Sequence, residues 1–204
     1  MYTPSLHEFE KGYRAFQQHE KQAGMYKKAS FVIDYFWGRP REMADSLGVL
    51  LLTWNQAFYR YGLFDFDALE QCISQNYTLL DGYRKRNILS YSSADDESIG
   101  SLFEQFLSAL EICEGKKARA KSPVAAAKGL HLLAPGFFPV WDDRIARRYD
   151  CHYASDPKGK YLVFTAKIKQ VAEKLGSIDT QATGKTLIKL INEYNYAKYT
   201  KAWA

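Results

Sequence analysis

The chain has 204 residues, 47% of them hydrophobic and 25% charged, enough apolar content to bury one sizeable core. Its formal net charge of +5 suits a polyanion as partner, although many proteins without such a partner are as basic. No run approaches the roughly 20 apolar residues of a membrane-spanning helix, and residues 1–10 lack the apolar stretch of a secretory signal, so no membrane partner and a cytoplasmic location are expected.

Three cysteines (Cys72, Cys113, Cys151) and four histidines (His7, His19, His131, His152) form no CxxC pair and have no ligand spacing. Neither a disulfide framework, a metal site nor a cofactor is expected. In chain order, Leu6, Phe9, Tyr13 and Phe16 recur at spacings of three and four and predict an amphipathic helix. A second helix is expected over 26–37, stopping before Gly38-Arg39-Pro40 because proline cannot continue it. The longest apolar helix is expected over 42–61, with Gly62 closing it. Asn55-Gln56 interrupts that run.

A short helix capped by Asp65 or Asp67 is expected to reach residue 75. A basic helix over 79–91, containing Arg84, comes next, and then a polar loop over 92–97. The next helix, 99–113, is expected to stop near Gly115, ahead of the basic stretch Lys116, Lys117, Arg119, Lys121. Ser122 is placed to cap a small-residue helix over 124–133, with Pro123 in the first turn. Ala134-Pro135-Gly136 ends it, and an apolar connector over 137–141 leads to Asp142, the expected cap of a basic helix over 143–149. Helices over 160–175 and 180–199 complete the chain. Only 161–164 has strand-like composition, and it fits a helix start equally well. Gly184-Lys185-Thr186 is like a P-loop ending, but Asp179 stands where that motif needs its first glycine. The expectation is one all-α unit, 1–204, a compact monomeric domain of about ten helices.

The stretch SPVAAAKGLHLLAPGFFPVWDDRIARRY, residues 122–149, resembles the corresponding part of the helix-hairpin-helix DNA glycosylase superfamily. Most of the likeness lies in FPVWDDRIARRY, and it implies a catalytic aspartate at Asp142, with Asp143 the alternative register. The chemistry agrees on its own terms. Cleaving an N-glycosidic bond builds oxocarbenium character on the sugar, which a fixed carboxylate stabilises, and a carboxylate at a helix N-terminus stays ionised. The competing reading is that Asp142 is simply an N-cap.

Residues 50–62, LLLTWNQAFYRYG, resemble the family's early helix, whose polar end enters the duplex. That implies Asn55 and Gln56 fill the space left by an extruded base; otherwise they face water or bond within the core. Arg84, Lys117, Arg119, Arg144 and Arg147, with Ser122 at a helix N-terminus, are the expected contacts to phosphate. Each basic cluster also reads as an ordinary solvated face. Trp54 and Trp141 are the candidates for stacking on a flipped base.

The resemblance spans about 47–149, with 1–46 and 150–204 as flanking helices that leave room for a bulky modified base such as one in phage DNA. It departs from the family in having no glycine over 118–124, where Ser122-Pro123 occupies the hairpin turn. The lysine of lyase members falls near Pro123 or Val124. The nearest lysine is Lys121, a candidate nucleophile, and Lys128 lies further along the same helix. The resemblance thus implies a monofunctional glycosylase on double-stranded DNA, in repair or antiviral defence. The alternatives are a non-catalytic helical module that binds DNA or a protein, and a helical enzyme acting on a small molecule.

Overall fold

The computed structural model of the protein describes residues 4–20, 23–176, 180 and 183–204. Among the described residues the chain is all-helical apart from one two-stranded sheet, with ten α-helices. The first, α1 (Leu6–His19), starts at a capping box in which Ser5 and Glu8 satisfy each other's backbone donors. Helix α2 (Ala23–Tyr35) ends ahead of Gly38, which lies at φ +89°, and Pro40 opens α3 (Pro40–Trp54).

Helix α3 is central, with Met43, Leu47 and Leu51 fully buried. It packs most extensively on α5 (Phe66–Arg84) and also meets α2 and α7. The α3–α5 approach is close: a Cβ on Gly48 would lie 2.4 Å from the ring of Phe66. The expected helix over 42–61 is corrected, since α3 stops at Trp54 and only the short α4 (Gln56–Tyr59) succeeds it. Gly62 is not its cap. It lies in β1 (Gly62–Leu63), which pairs antiparallel with β2 (Glu114–Gly115) in the register Gly62↔Gly115. Gly115 sits at φ +109°, and a Cβ there would come within 2.1 Å of the Tyr61 carbonyl oxygen, so this crossing requires glycine.

Helix α5 is continuous where two helices were expected. The polar run in its middle is accommodated because Asn76 Nδ2 donates to the Cys72 carbonyl at 2.8 Å and to Gln105 Oε1 at 2.7 Å on α6 (Asp96–Ala109). The expected basic helix therefore ends at Arg84, and the chain passes through a 3₁₀ turn, Ile88–Ser90.

Helix α7 (Pro123–Leu133) is capped by Ser122 as expected, and α8 (Asp143–Arg148) by Asp142. Nearly all of α7 is buried, including Ala125, Ala126, Ala127, Leu130 and His131. Small residues let α3 and α6 close on it. Residues 161–164 lie inside α9 (Pro157–Lys174). Tyr161 and Phe164 there join Phe103 and Trp141 in an aromatic core, with Phe103 and Tyr161 stacked at 4.6 Å. Of the helix expected over 180–199, residues 181 and 182 lie outside the described residues, as does Asp179. The rest of that span holds α10 (Leu187–Asn195), continued by a π-helical turn, Tyr196–Thr200. No helix among the described residues is long and apolar enough to cross a membrane, and none of their His, Cys, Asp and Glu side chains cluster as a metal site.

Candidate functional site

Because α7 is so apolar, its one lysine stands out. Lys128 is half-buried and reaches the wall of a cavity of about 280 Å³ bounded by residues of α1, α2, α3, α7, α8 and α10. That volume lies near the low end for small-molecule sites, roughly 300–1,000 Å³. Lys128 Nζ donates to the Trp54 carbonyl at 2.9 Å and to Asn55 Oδ1 at 3.3 Å, and stands 5.0 Å from the centre of the Trp54 ring. Burial pushes its pKa down from 10.5 to about 8, against the attraction of the Asp142 carboxylate.

Asp142 shares this cavity. Its Oδ1 accepts the Ile145 N–H at 2.8 Å, the N-cap bond of α8. Its Oδ2 accepts the Thr200 hydroxyl, so the π-helical turn after α10 fixes the second oxygen. Both carboxylate oxygens are thus oriented by the protein, and the carboxylate retains lone pairs for a guest.

Further wall residues come from α2, α7 and α10. His131, fully enclosed, has Nδ1 2.7 Å from the Phe138 carbonyl and Nε2 3.0 Å from the Tyr26 hydroxyl. A carbonyl only accepts, so Nδ1 carries the proton and Nε2 accepts from Tyr26. Burial lowers the His131 pKa to about 3, with Lys189 adding to the effect, and the ring is neutral. On α10, Glu193 is buried and accepts from Gln17 at 2.9 Å, while Lys185 and Lys189 pair with it at 2.8 and 3.4 Å. Lys189 Nζ also lies 3.7 Å from the centre of the Tyr26 ring. Asn192 Oδ1 accepts the Val140 N–H at 3.3 Å, whereas its Nδ2 is buried without a hydrogen-bond partner.

Of the residues singled out in the sequence, Trp54, Trp141 and Asp142 line this cavity together. Trp141 is fully buried, its Nε1 donating to the Pro123 carbonyl at 3.1 Å, and it forms floor rather than a free stacking face. Asn55 adjoins the cavity but is held from both sides: Nδ2 donates to Ser122 Oγ at 3.1 Å and Oδ1 accepts from Lys128. Gln56 beside it is exposed. Ser122 is buried, and its hydroxyl also accepts the Ala125 N–H at 3.1 Å.

Lys121 does not join the cavity. It points to Ser108 Oγ at 3.1 Å and Glu111 at 3.4 Å. Arg84 is held within the fold, donating to the Leu133 carbonyl at 2.6 Å, pairing with Asp34 and lying 4.0 Å over the Trp37 ring. Lys117 and Arg119 are exposed on the turn after β2, Arg144 donates to the Thr200 carbonyl at 2.6 Å, and Arg147 pairs with Asp143 at 3.0 Å. The wall residues Tyr26, His131, Lys189, Asn192 and Glu193 were not singled out. For the α10 members the signal was a polar stripe, Lys189, Asn192 and Glu193, at helical spacing beside an apolar face; Tyr26 and His131 carried none.

The cavity combines aromatic walls with a carboxylate and an amine of lowered pKa, a setting for a flat, polar guest and for proton transfer or nucleophilic chemistry on it. No protein-family model, curated protein or solved structure matches the chain.

Proposed function

We propose that the chain is a DNA glycosylase that draws a base out of the duplex into this cavity and cleaves its bond to deoxyribose, with Asp142 as the carboxylate. The observation that carries this reading is the meeting of Asp142 and Lys128 in one aromatic-walled cavity. As the C1′–N bond breaks, the base leaves with the electron pair and positive charge grows on the sugar. A carboxylate held beside it stabilises that charge and accepts a proton from the attacking water.

Lys128 supplies a second nucleophile to the same centre. With a pKa near 8, roughly one molecule in ten carries the neutral amine at pH 7. Its attack on C1′ would expel the base and leave a covalent adduct that opens to an imine. Lys121, turned to Glu111, is not the amine this reading uses. Exposed Gln56 is the side chain to enter the vacated stack, and Lys117, Arg119 and Arg144 are candidate phosphate contacts on double-stranded DNA. The same chemistry serves repair of a damaged base or removal of a modified phage base, by a monomeric cytoplasmic enzyme.

The test is incubation with duplexes carrying uracil, 8-oxoguanine, alkylated purines, mispaired adenine or phage-type modified cytosines, with abasic sites revealed by alkali. Borohydride separates the two nucleophiles, because only an imine on Lys128 is reduced to a stable cross-link. Salt-sensitive DNA binding without release of any base favours the non-catalytic module instead.

A further inference from the structure

The cavity wall built by Tyr26, His131, Lys189, Asn192 and Glu193 is polar, and the hydrogen-bonding capacity left on it is one-sided. Tyr26 donates its hydroxyl proton to His131 Nε2, and Ser30 bonds the same hydroxyl. Both oxygens of Glu193 are occupied: Oε1 by Lys185 at 2.9 Å and Lys189 at 3.4 Å, Oε2 by Lys185 at 2.8 Å and Gln17 at 2.9 Å. His131 has neither ring nitrogen to spare. The wall's acceptors at Tyr26, His131 and Glu193 are therefore committed to the protein, and Glu20, which also lines the cavity, attracts Lys189.

The wall's donors are not. Asn192 Nδ2 has no partner, and the amide cannot exchange ends without losing the bond from the Val140 N–H to Oδ1. Lys189 has three ammonium protons. Glu193 takes one, and the Tyr26 ring faces the cation without accepting a conventional hydrogen bond. Lys189 and Asn192 are three residues apart on α10, so both present to the same face of the helix. A buried donor without a partner is destabilising unless a guest brings the acceptor.

We propose that Lys189 and Asn192 read a carbonyl oxygen on the edge of the guest base, so that the cavity selects keto-bearing bases over those with an amino group at the same ring position. This rests on the glycosylase reading for the identity of the guest, and it names the class of base that reading leaves open. An amino group in that place would set donor against donor, and sites built to hydrogen-bond a particular group discriminate strongly against an analogue that cannot comply.

The experiment uses the whole chain and free bases in matched pairs, hypoxanthine against adenine and uracil against cytosine, with binding measured by titration calorimetry. The keto member of each pair should bind on the order of tenfold tighter, the equivalent of one discriminating hydrogen bond. Asn192→Asp, which replaces the donor by an acceptor, should abolish or reverse the preference. Asn192→Leu and Lys189→Met should each weaken the keto member and leave the amino member little changed. The proposal is overturned if the amino member binds as well or better, if no member of either pair binds, or if the preference survives in folded Asn192→Asp and Asn192→Leu. The wild-type comparison decides even if a variant fails to fold. Duplex base release on the same preparations separates the two claims. A keto preference with no release from any duplex would keep this assignment and sink the glycosylase reading, and release without a keto preference would do the reverse.

Discussion

Asn55 accepts a hydrogen bond from Lys128 at 3.3 Å, and so ties the break between α3 and α4 to the one lysine of α7. The same side chain donates to Ser122, the N-cap of α7, at 3.1 Å. Asn55→Ala removes both bonds and is expected to lower stability by about 1–3 kcal/mol, since partly buried partners are left unmet. Gln56→Ala, on an exposed side chain, should leave thermal unfolding within about 0.5 kcal/mol of wild type and act only on DNA binding and base release. Melting curves and release rates on the two variants check this division.

Lys128 is held in the cavity at a cost to the fold. Its pKa falls from 10.5 to about 8, so between these values the unfolded chain holds the proton that the fold gives up. The penalty is complete below pH 8, about 3 kcal/mol, and vanishes as pH rises towards 10.5. Lys128→Met also forfeits hydrogen bonds to Trp54 and Asn55, leaving an expected net gain of about 1–2 kcal/mol at pH 7. That gain should shrink and change sign by pH 10, while any borohydride cross-link to DNA disappears. Denaturant titrations at pH 7 and pH 10 measure it.

His131 sets the acid limit. It is neutral in the fold with a pKa near 3, whereas the unfolded chain protonates it from about 6.5 downwards. Its contribution is intact above pH 6.5 and is lost as pH falls towards 3, amounting to about 2 kcal/mol by pH 5. His131→Phe should be less stable at pH 7, because the Phe138 carbonyl and Tyr26 hydroxyl lose their partner. Between pH 6.5 and pH 4 it should lose less stability than wild type. Unfolding midpoints across that range test both statements.

The α3–α5 contact depends on a missing side chain. Gly48→Ala places a methyl 2.4 Å from Phe66 Cε1 and 3.1 Å from Phe64 Cζ. Overpacking of this kind should destabilise by roughly 1–3 kcal/mol, although alanine is the better helix former. Chemical denaturation of this one variant is sufficient to check it.

The helical architecture was legible because its signals are local. Ser5, Ser122 and Asp142 announce helix starts through side chains that bond the next turn, and Pro40 and Pro123 mark first turns. The features that could not be read depend on distant partners. Asn76 looks like a break until Gln105 of α6 is placed opposite it, and β1 exists only because Gly115 allows the chain to cross Tyr61. Asp142 was visible as a cap and as a candidate carboxylate. Lys128 was harder, because proximity to the helix start favoured Lys121, which precedes the N-cap and turns away to Glu111. A single lysine in the otherwise apolar VAAAKGLHLL was the available clue. The α10 wall was unreadable without the fold that sets it against α2 and α7.

The most direct test of the central claim is base release by Asp142→Asn measured beside wild type on the panel of modified duplexes. Asparagine caps helices as well as aspartate, so the Ile145 bond should persist, and the Thr200 hydroxyl can turn to accept from the new Nδ2, so the variant should stay folded. Base release by wild type that falls by about three orders of magnitude or more in the folded variant is the result this account predicts. A folded Asp142→Asn that releases base at the wild-type rate would contradict it, and would leave Asp142 as nothing more than the cap of α8.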